Sequence, residues 1–110
     1  MMNWNKLTEE AQLEEIAKKS FDKPQVIFKH SIRCSISSMA LSRLERKAPP
    51  NNTDFYLLDL VNYRSISNKI ADDFKVYHES PQVLVIRNGE CIYDESHGGI
   101  NMDEIADKSF

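Results

Sequence analysis

Hydrophobic and polar positions along the chain alternate between two rhythms. Leu13, Ile16 and Ala17 recur at spacings of three and four. With Thr8 as a cap and Glu9 and Glu10 suited to a positive helix end, they predict a first helix from Thr8. Pro24 interrupts it. Gln25-Val26-Ile27-Phe28-Lys29-His30 then reads as a strand whose continuous apolar centre suits burial on both faces of a parallel sheet. Helical spacing returns from about Ser35 to Lys47, with Ile36, Met39, Ala40 and Leu44 as the apolar stripe, and Pro49-Pro50-Asn51-Asn52 is a loop. Asp54 to Leu60 reads as a second strand, and Ile66, Ile70 and Phe74 mark a helix from about Tyr63 to Phe74. Pro81 opens a third strand, Val83-Leu84-Val85-Ile86. Asn88-Gly89 is a two-residue hairpin signal, because a type I′ turn needs positive φ at both positions, so Cys91-Ile92-Tyr93 is the antiparallel partner. Gly98-Gly99 precedes a short last helix carrying Met102, Ile105 and Ala106.

The predicted order is α-β-α-β-α-β-β-α. Its βαβ crossovers imply parallel strands and its hairpin adds an antiparallel one. The expected fold is therefore α/β, a mixed four-stranded sheet with helices on both faces. A chain of 110 residues fits one domain over 1–110, with no internal repeat or linker. The net charge of −3 provides no basic field for nucleic acid, and no apolar run is long enough to span a membrane. The first residues, Met1-Met2-Asn3-Trp4-Asn5-Lys6, lack the apolar core of an export signal. Two cysteines far apart do not make a disulfide scaffold, so a cytoplasmic location is expected. Trp4 is expected to anchor the N-terminal segment by packing.

One junction concentrates chemistry. Ile32-Arg33-Cys34-Ser35-Ile36-Ser37 joins the first predicted strand to the second helix, at the strand end where α/β folds place their sites. Cys34 falls at the helix start, where free backbone N–H groups and the helix dipole favour a thiolate over a thiol. Lys29, His30 and Arg33 are cationic or ionisable neighbours in sequence. The motif Cys34-Ser35-Ile36-Ser37 carries serine where a dithiol oxidoreductase has its second cysteine. Ser37 cannot close an internal disulfide, so a mixed disulfide on Cys34 needs an external thiol. Cys91 reads as a packing residue. His30, His78 and His97 show no paired ligand spacing with the cysteines, and no metal site is expected. Asp59 reads as a strand-end charge. Read alone, Ser80-Pro81 is an ordinary trans proline opening an edge strand.

The chain resembles the monothiol bacilliredoxin family, the YtxJ-type proteins of the bacillithiol system. The resemblance is carried by Ile27-Phe28-Lys29-His30-Ser31, by Arg33-Cys34 with Ile36-Ser37-Ser38-Met39-Ala40, by His78-Glu79-Ser80-Pro81-Gln82 and by the Asn88-Gly89 hairpin. Where the family pattern has proline directly after the cysteine, this chain has Ser35. The resemblance implies a thioredoxin-like fold lacking the first strand of full thioredoxin. It also implies a cis bond before Pro81, facing Cys34, with Ser80 offering its backbone to a substrate. Cys34 is then the catalytic nucleophile, and Arg33, Ser35, Ser37, Ser80 and Pro81 form the substrate site, with His78 a further candidate beside the groove. Bacillithiol is the thiol co-substrate, with no bound cofactor, and Arg33 and Lys29 are expected to attract its carboxylates. The implied partners are bacillithiolated cytosolic proteins. Two other function classes stay open at this level: an iron–sulfur cluster carrier of the monothiol-glutaredoxin type, and a non-catalytic binding module on the same fold.

Overall fold

A computed structural model describes residues 2–110. Its elements are β1 (Trp4–Lys6), α1 (Ala11–Lys19), β2 (Gln25–His30), α2 (Ser35–Glu45), β3 (Asp54–Asp59), α3 (Arg64–Phe74), β4 (Gln82–Arg87), β5 (Glu90–Ser96), a 3-10 turn (His97–Gly99) and α4 (Met102–Ser109).

The sheet has five strands in the order β1-β3-β2-β4-β5, not the four expected. The additional strand is β1, three residues long and parallel to β3, with Trp4 opposite Phe55 and Lys6 opposite Leu57. So short an edge strand has too few residues to show an alternating pattern. The tertiary structure holds it through Trp4, whose ring lies 6.0 Å from Phe28 and 5.9 Å edge-on from Phe55. β2 and β3 are parallel, whereas β4 is antiparallel to both β2 and β5. Asn88 and Gly89 both have positive φ, as the hairpin signal requires.

Alternate residues of the strands point to two cores. Ile27, Leu58, Leu84 and Ile86 pack with Leu13 and Ile16 of α1 and with Ile66, Ile70 and Phe74 of α3. Val26, Phe28, Phe55, Val83 and Val85 pack with Ala40 and Leu44 of α2 and with Met102 and Ile105 of α4. The continuous apolar run of β2 is thus explained: all six of its residues are buried. Each fully buried large apolar side chain contributes about 1.5–3 kcal/mol to this two-sided core.

Two helix details differ from the sequence reading. α1 starts at Ala11 rather than Thr8, and the Gln12 side chain, not Thr8, accepts the backbone N–H groups of Thr8 and Glu9 at 2.8 and 2.9 Å. In α2 the buried face is Ser37, Ala40 and Leu44, while Ile36 and Met39 are 53% and 63% exposed. This rotation buries a polar anchor at Ser37, described below, together with Ala40 and Leu44, and turns two of the four expected stripe residues outward.

Candidate active site

Because β4 runs against its parallel neighbours, one edge of the sheet gathers the ends of β1, β2 and β3 with the start of β4. His30 pairs with Asp59, and Lys29 with both Leu58 and Gln82. Extending the β2–β4 register by one residue sets Pro81 across from His30. The chain leaves β2 at this edge, turns, and enters α2.

Cys34 is the residue before α2 and is half-buried, with extended backbone angles of φ −114° and ψ 121°. Its N–H donates to Ser31 O at 3.2 Å, and its C=O accepts the Ser38 N–H at 3.1 Å, the first hydrogen bond of the helix. The thiol therefore stands at the helix N-terminus, as its place in the sequence implied. Arg33 and Ser35 flank it and are exposed. Ile32, Ile36 and Met39, also exposed, surround it in sequence with apolar surface.

Ser37 is fully buried. Its Oγ accepts the Ser31 N–H at 3.0 Å and lies 2.6 Å from His30 Nδ1. Burial lowers the pKa of His30, against the opposing pull of Asp59 and Glu45, so its imidazole is neutral near pH 7. The hydroxyl that stands where a dithiol protein has its second sulfur is fastened to the strand beneath.

The Ser80–Pro81 peptide bond is cis, as the resemblance implied. Pro81 is buried, and its carbonyl accepts the His97 N–H at 3.1 Å. The Ser80 Oγ is buried with no hydrogen-bond partner among the described residues. Arg43 of α2 ties down the turn after β5, donating through Nε and Nη2 to Ile100 O, both at 3.0 Å, and through Nη2 to His97 O at 3.1 Å.

Lys29 does not face solvent and cannot itself meet a substrate carboxylate. It is fully buried, and its Nζ donates to Gln82 Oε1 at 3.0 Å and contacts His78 Nδ1 at 2.8 Å. Burial lowers its pKa to about 8, with Glu79 opposing. The sequence reading missed this cluster of Lys29, His78, Gln82 and Ser67. A lysine inside a strand assigned to burial on both faces was the available signal, since buried ammonium groups need partners. Asp59 is a turn carboxylate, accepting the N–H groups of Val61 at 3.1 Å and Asn62 at 3.4 Å and the Asn62 amide at 2.6 Å. Cys91 is half-buried, and burial pushes its thiol up to about 11. Among the described residues, no group of three or more histidine, cysteine or acidic side chains is arranged to hold a metal ion, and no helix is long and apolar enough to cross a membrane.

A lone half-exposed cysteine at a helix start, a buried serine three residues on and a cis-proline opening the neighbouring strand define a thioredoxin-like thiol oxidoreductase of the monothiol class. Solved structures agree on the fold. A candidate oxidoreductase with a thioredoxin fold superposes with a TM-score of 0.79 at 32% identity, covering 96% of this chain and 92% of the other. Thioredoxin f from spinach chloroplast gives 0.72 at 13% identity over 96% and 82%. Thioredoxin from Malassezia sympodialis gives 0.71 at 16% identity over 96% and 86%. The sequence profile of the monothiol bacilliredoxin BrxC family matches residues 5–105, and the chain belongs to that family.

Proposed function

We propose that the protein removes bacillithiol from S-bacillithiolated proteins in the cytoplasm through a mixed disulfide on Cys34. The observation that carries this reading is the pairing of an accessible Cys34 with a Ser37 hydroxyl sealed against His30. A site with one usable sulfur exchanges disulfides but cannot store one internally.

The Cys34 thiolate attacks the bacillithiol sulfur of the client's mixed disulfide. A bond forms between Cys34 and bacillithiol, the bond to the client breaks, and the client sulfur departs as a thiolate that takes a proton from solvent. A second thiol then attacks the bacillithiol sulfur of the Cys34 mixed disulfide, forms a disulfide with bacillithiol, and Cys34 leaves as its thiolate. The exposed apolar side chains of Ile32, Ile36 and Met39 suit contact with a protein client. Ser80 and Pro81, at the end of the sheet where β2 hands over to α2, suit alignment of an extended substrate segment. Arg33, exposed beside the thiol, is the direct partner for a bacillithiol carboxylate.

The test is intact-mass spectrometry after mixing reduced protein with a bacillithiolated client. The expected result is a gain of one bacillithiol on Cys34 and its loss from the client. A client that keeps its bacillithiol, with Cys34 unmodified, overturns the reading.

A further inference from the structure

The buried cluster behind the cis-proline has a feature that packing alone does not require. His78 is exposed, yet its Nδ1 is turned inward onto Lys29 Nζ at 2.8 Å and Ser67 Oγ at 3.3 Å. Below its pKa of about 8 Lys29 is an ammonium, which only donates, so near pH 7 Nδ1 is the acceptor. The neutral imidazole then carries its proton on Nε2, which has no partner among the described residues. Lys29 is in turn held by Gln82 Oε1, and the Gln82 amide donates to Tyr77 O at 3.0 Å. The chain of contacts runs from β2 through β4 to the loop that carries His78, two residues before Ser80. Arg64, the first residue of α3, is the other cation acting on His78. The acidic groups on this side are Glu79, whose carboxylate is 3.7 Å from His97 Nε2, and Asp72, which lines the same surface cavity as His78.

We propose that Lys29 is a positioning residue that locks His78 as an outward Nε2–H donor, and that His78 receives a carboxylate of the small thiol being transferred. This rests on the proposed function and adds a recognition element on the α3 side of the cis-proline, opposite in the sheet from the face covered by α2. It also separates two roles that the lysine and histidine would otherwise confuse. Lys29 never touches the ligand, and His78 does so only in one tautomer. Burial and the neighbouring Lys29 and Arg64 lower the pKa of His78, which keeps it in this neutral donor form near pH 7.

Two measurements test this. The first compares rate constants for Cys34 attack on bacillithiol disulfide and on the uncharged bis(2-hydroxyethyl) disulfide. In His78→Ala the ratio of the first to the second is expected to fall about tenfold, the effect of losing one hydrogen bond to a charged group. The second is nitrogen-15 NMR of the imidazoles. Wild-type His78 is expected as the Nε2–H tautomer at pH 7, and Lys29→Met is expected to let it mix with the Nδ1–H form. Should Lys29→Met fail to fold, the wild-type spectrum still decides: an Nδ1–H or cationic His78 at pH 7 overturns the inference. An unchanged ratio in His78→Ala, with wild-type Cys34 still taking up bacillithiol, overturns it while leaving the proposed function standing. Wild-type protein that takes up no bacillithiol overturns both.

Discussion

Ser37 Oγ lies 2.6 Å from His30 Nδ1, and both residues are buried where β2 gives way to α2. The same oxygen takes the Ser31 N–H, so one hydroxyl joins the strand, the turn and the helix. It holds the first turn of α2, and Cys34 with it, in register with the sheet edge. Ser37→Ala leaves a buried imidazole nitrogen and a backbone N–H without their partner. Urea unfolding should show a loss of about 1–3 kcal/mol. Exchange by Cys34, measured under folding conditions, should persist, since the buried hydroxyl is already engaged by His30 and the Ser31 N–H. Near-complete loss of exchange in a folded Ser37→Ala protein would show instead that this hydroxyl serves the thiol directly.

The His30 environment also sets a pH dependence. Its folded pKa is below the ordinary value of 6.5, chiefly through burial. The unfolded chain therefore binds a proton that the folded chain refuses as pH falls below 6.5. The stability is present above that pH and is lost on acidification, by at most about 1.4 kcal/mol per pH unit for one histidine. Denaturant midpoints at pH 7.5 and 5.5 should differ in that direction. His30→Gln, which retains a polar group for Ser37 but does not titrate, should reduce the dependence, leaving the part due to His78, while lowering stability at both pH values.

The two thiols should behave differently. Cys91, its thiol pushed up to about 11 and directed at Tyr93 O at 3.3 Å, is almost wholly protonated near neutrality. Iodoacetamide at pH 7.5 should modify Cys34 and leave Cys91 largely untouched in the folded protein, as peptide mapping would show. Cys34→Ser should abolish disulfide exchange, and Cys91→Ser should alter it little. Rapid labelling of Cys91 in native protein would contradict the burial on which this rests.

Ser35 stands at the first position of α2, where proline is favoured because its missing N–H has no helical partner. The residue before a proline must be extended, and Cys34 already is, at φ −114° and ψ 121°. Ser35→Pro should therefore be accepted without rearrangement and should raise stability by about 0.4–1 kcal/mol through a stiffer unfolded chain. A drop in thermal midpoint would mean that the Ser35 side chain or N–H has a role in the turn.

Much of this protein was legible in the order of its residues. Apolar runs marked β2, β3 and β4, the hairpin signal marked β5, and period-3.6 spacing marked all four helices, because each must hide apolar surface to form. Asn88-Gly89 specified its hairpin through local backbone preference alone. The place of Cys34 between a buried strand and a helix also needed no long-range information. What the sequence did not determine was decided by contacts between distant segments. β1 exists because the Trp4 ring finds Phe28 and Phe55, a packing that no three-residue pattern announces. The rotation of α2, which exposes Ile36 and Met39, goes with the core packing of Ala40 and Leu44 and with the bonds of Ser37 Oγ to His30 and the Ser31 N–H. Lys29, a charge in an otherwise apolar strand, became intelligible only with Gln82 and His78 around it, since a buried ammonium is tolerable only where the fold brings acceptors to it.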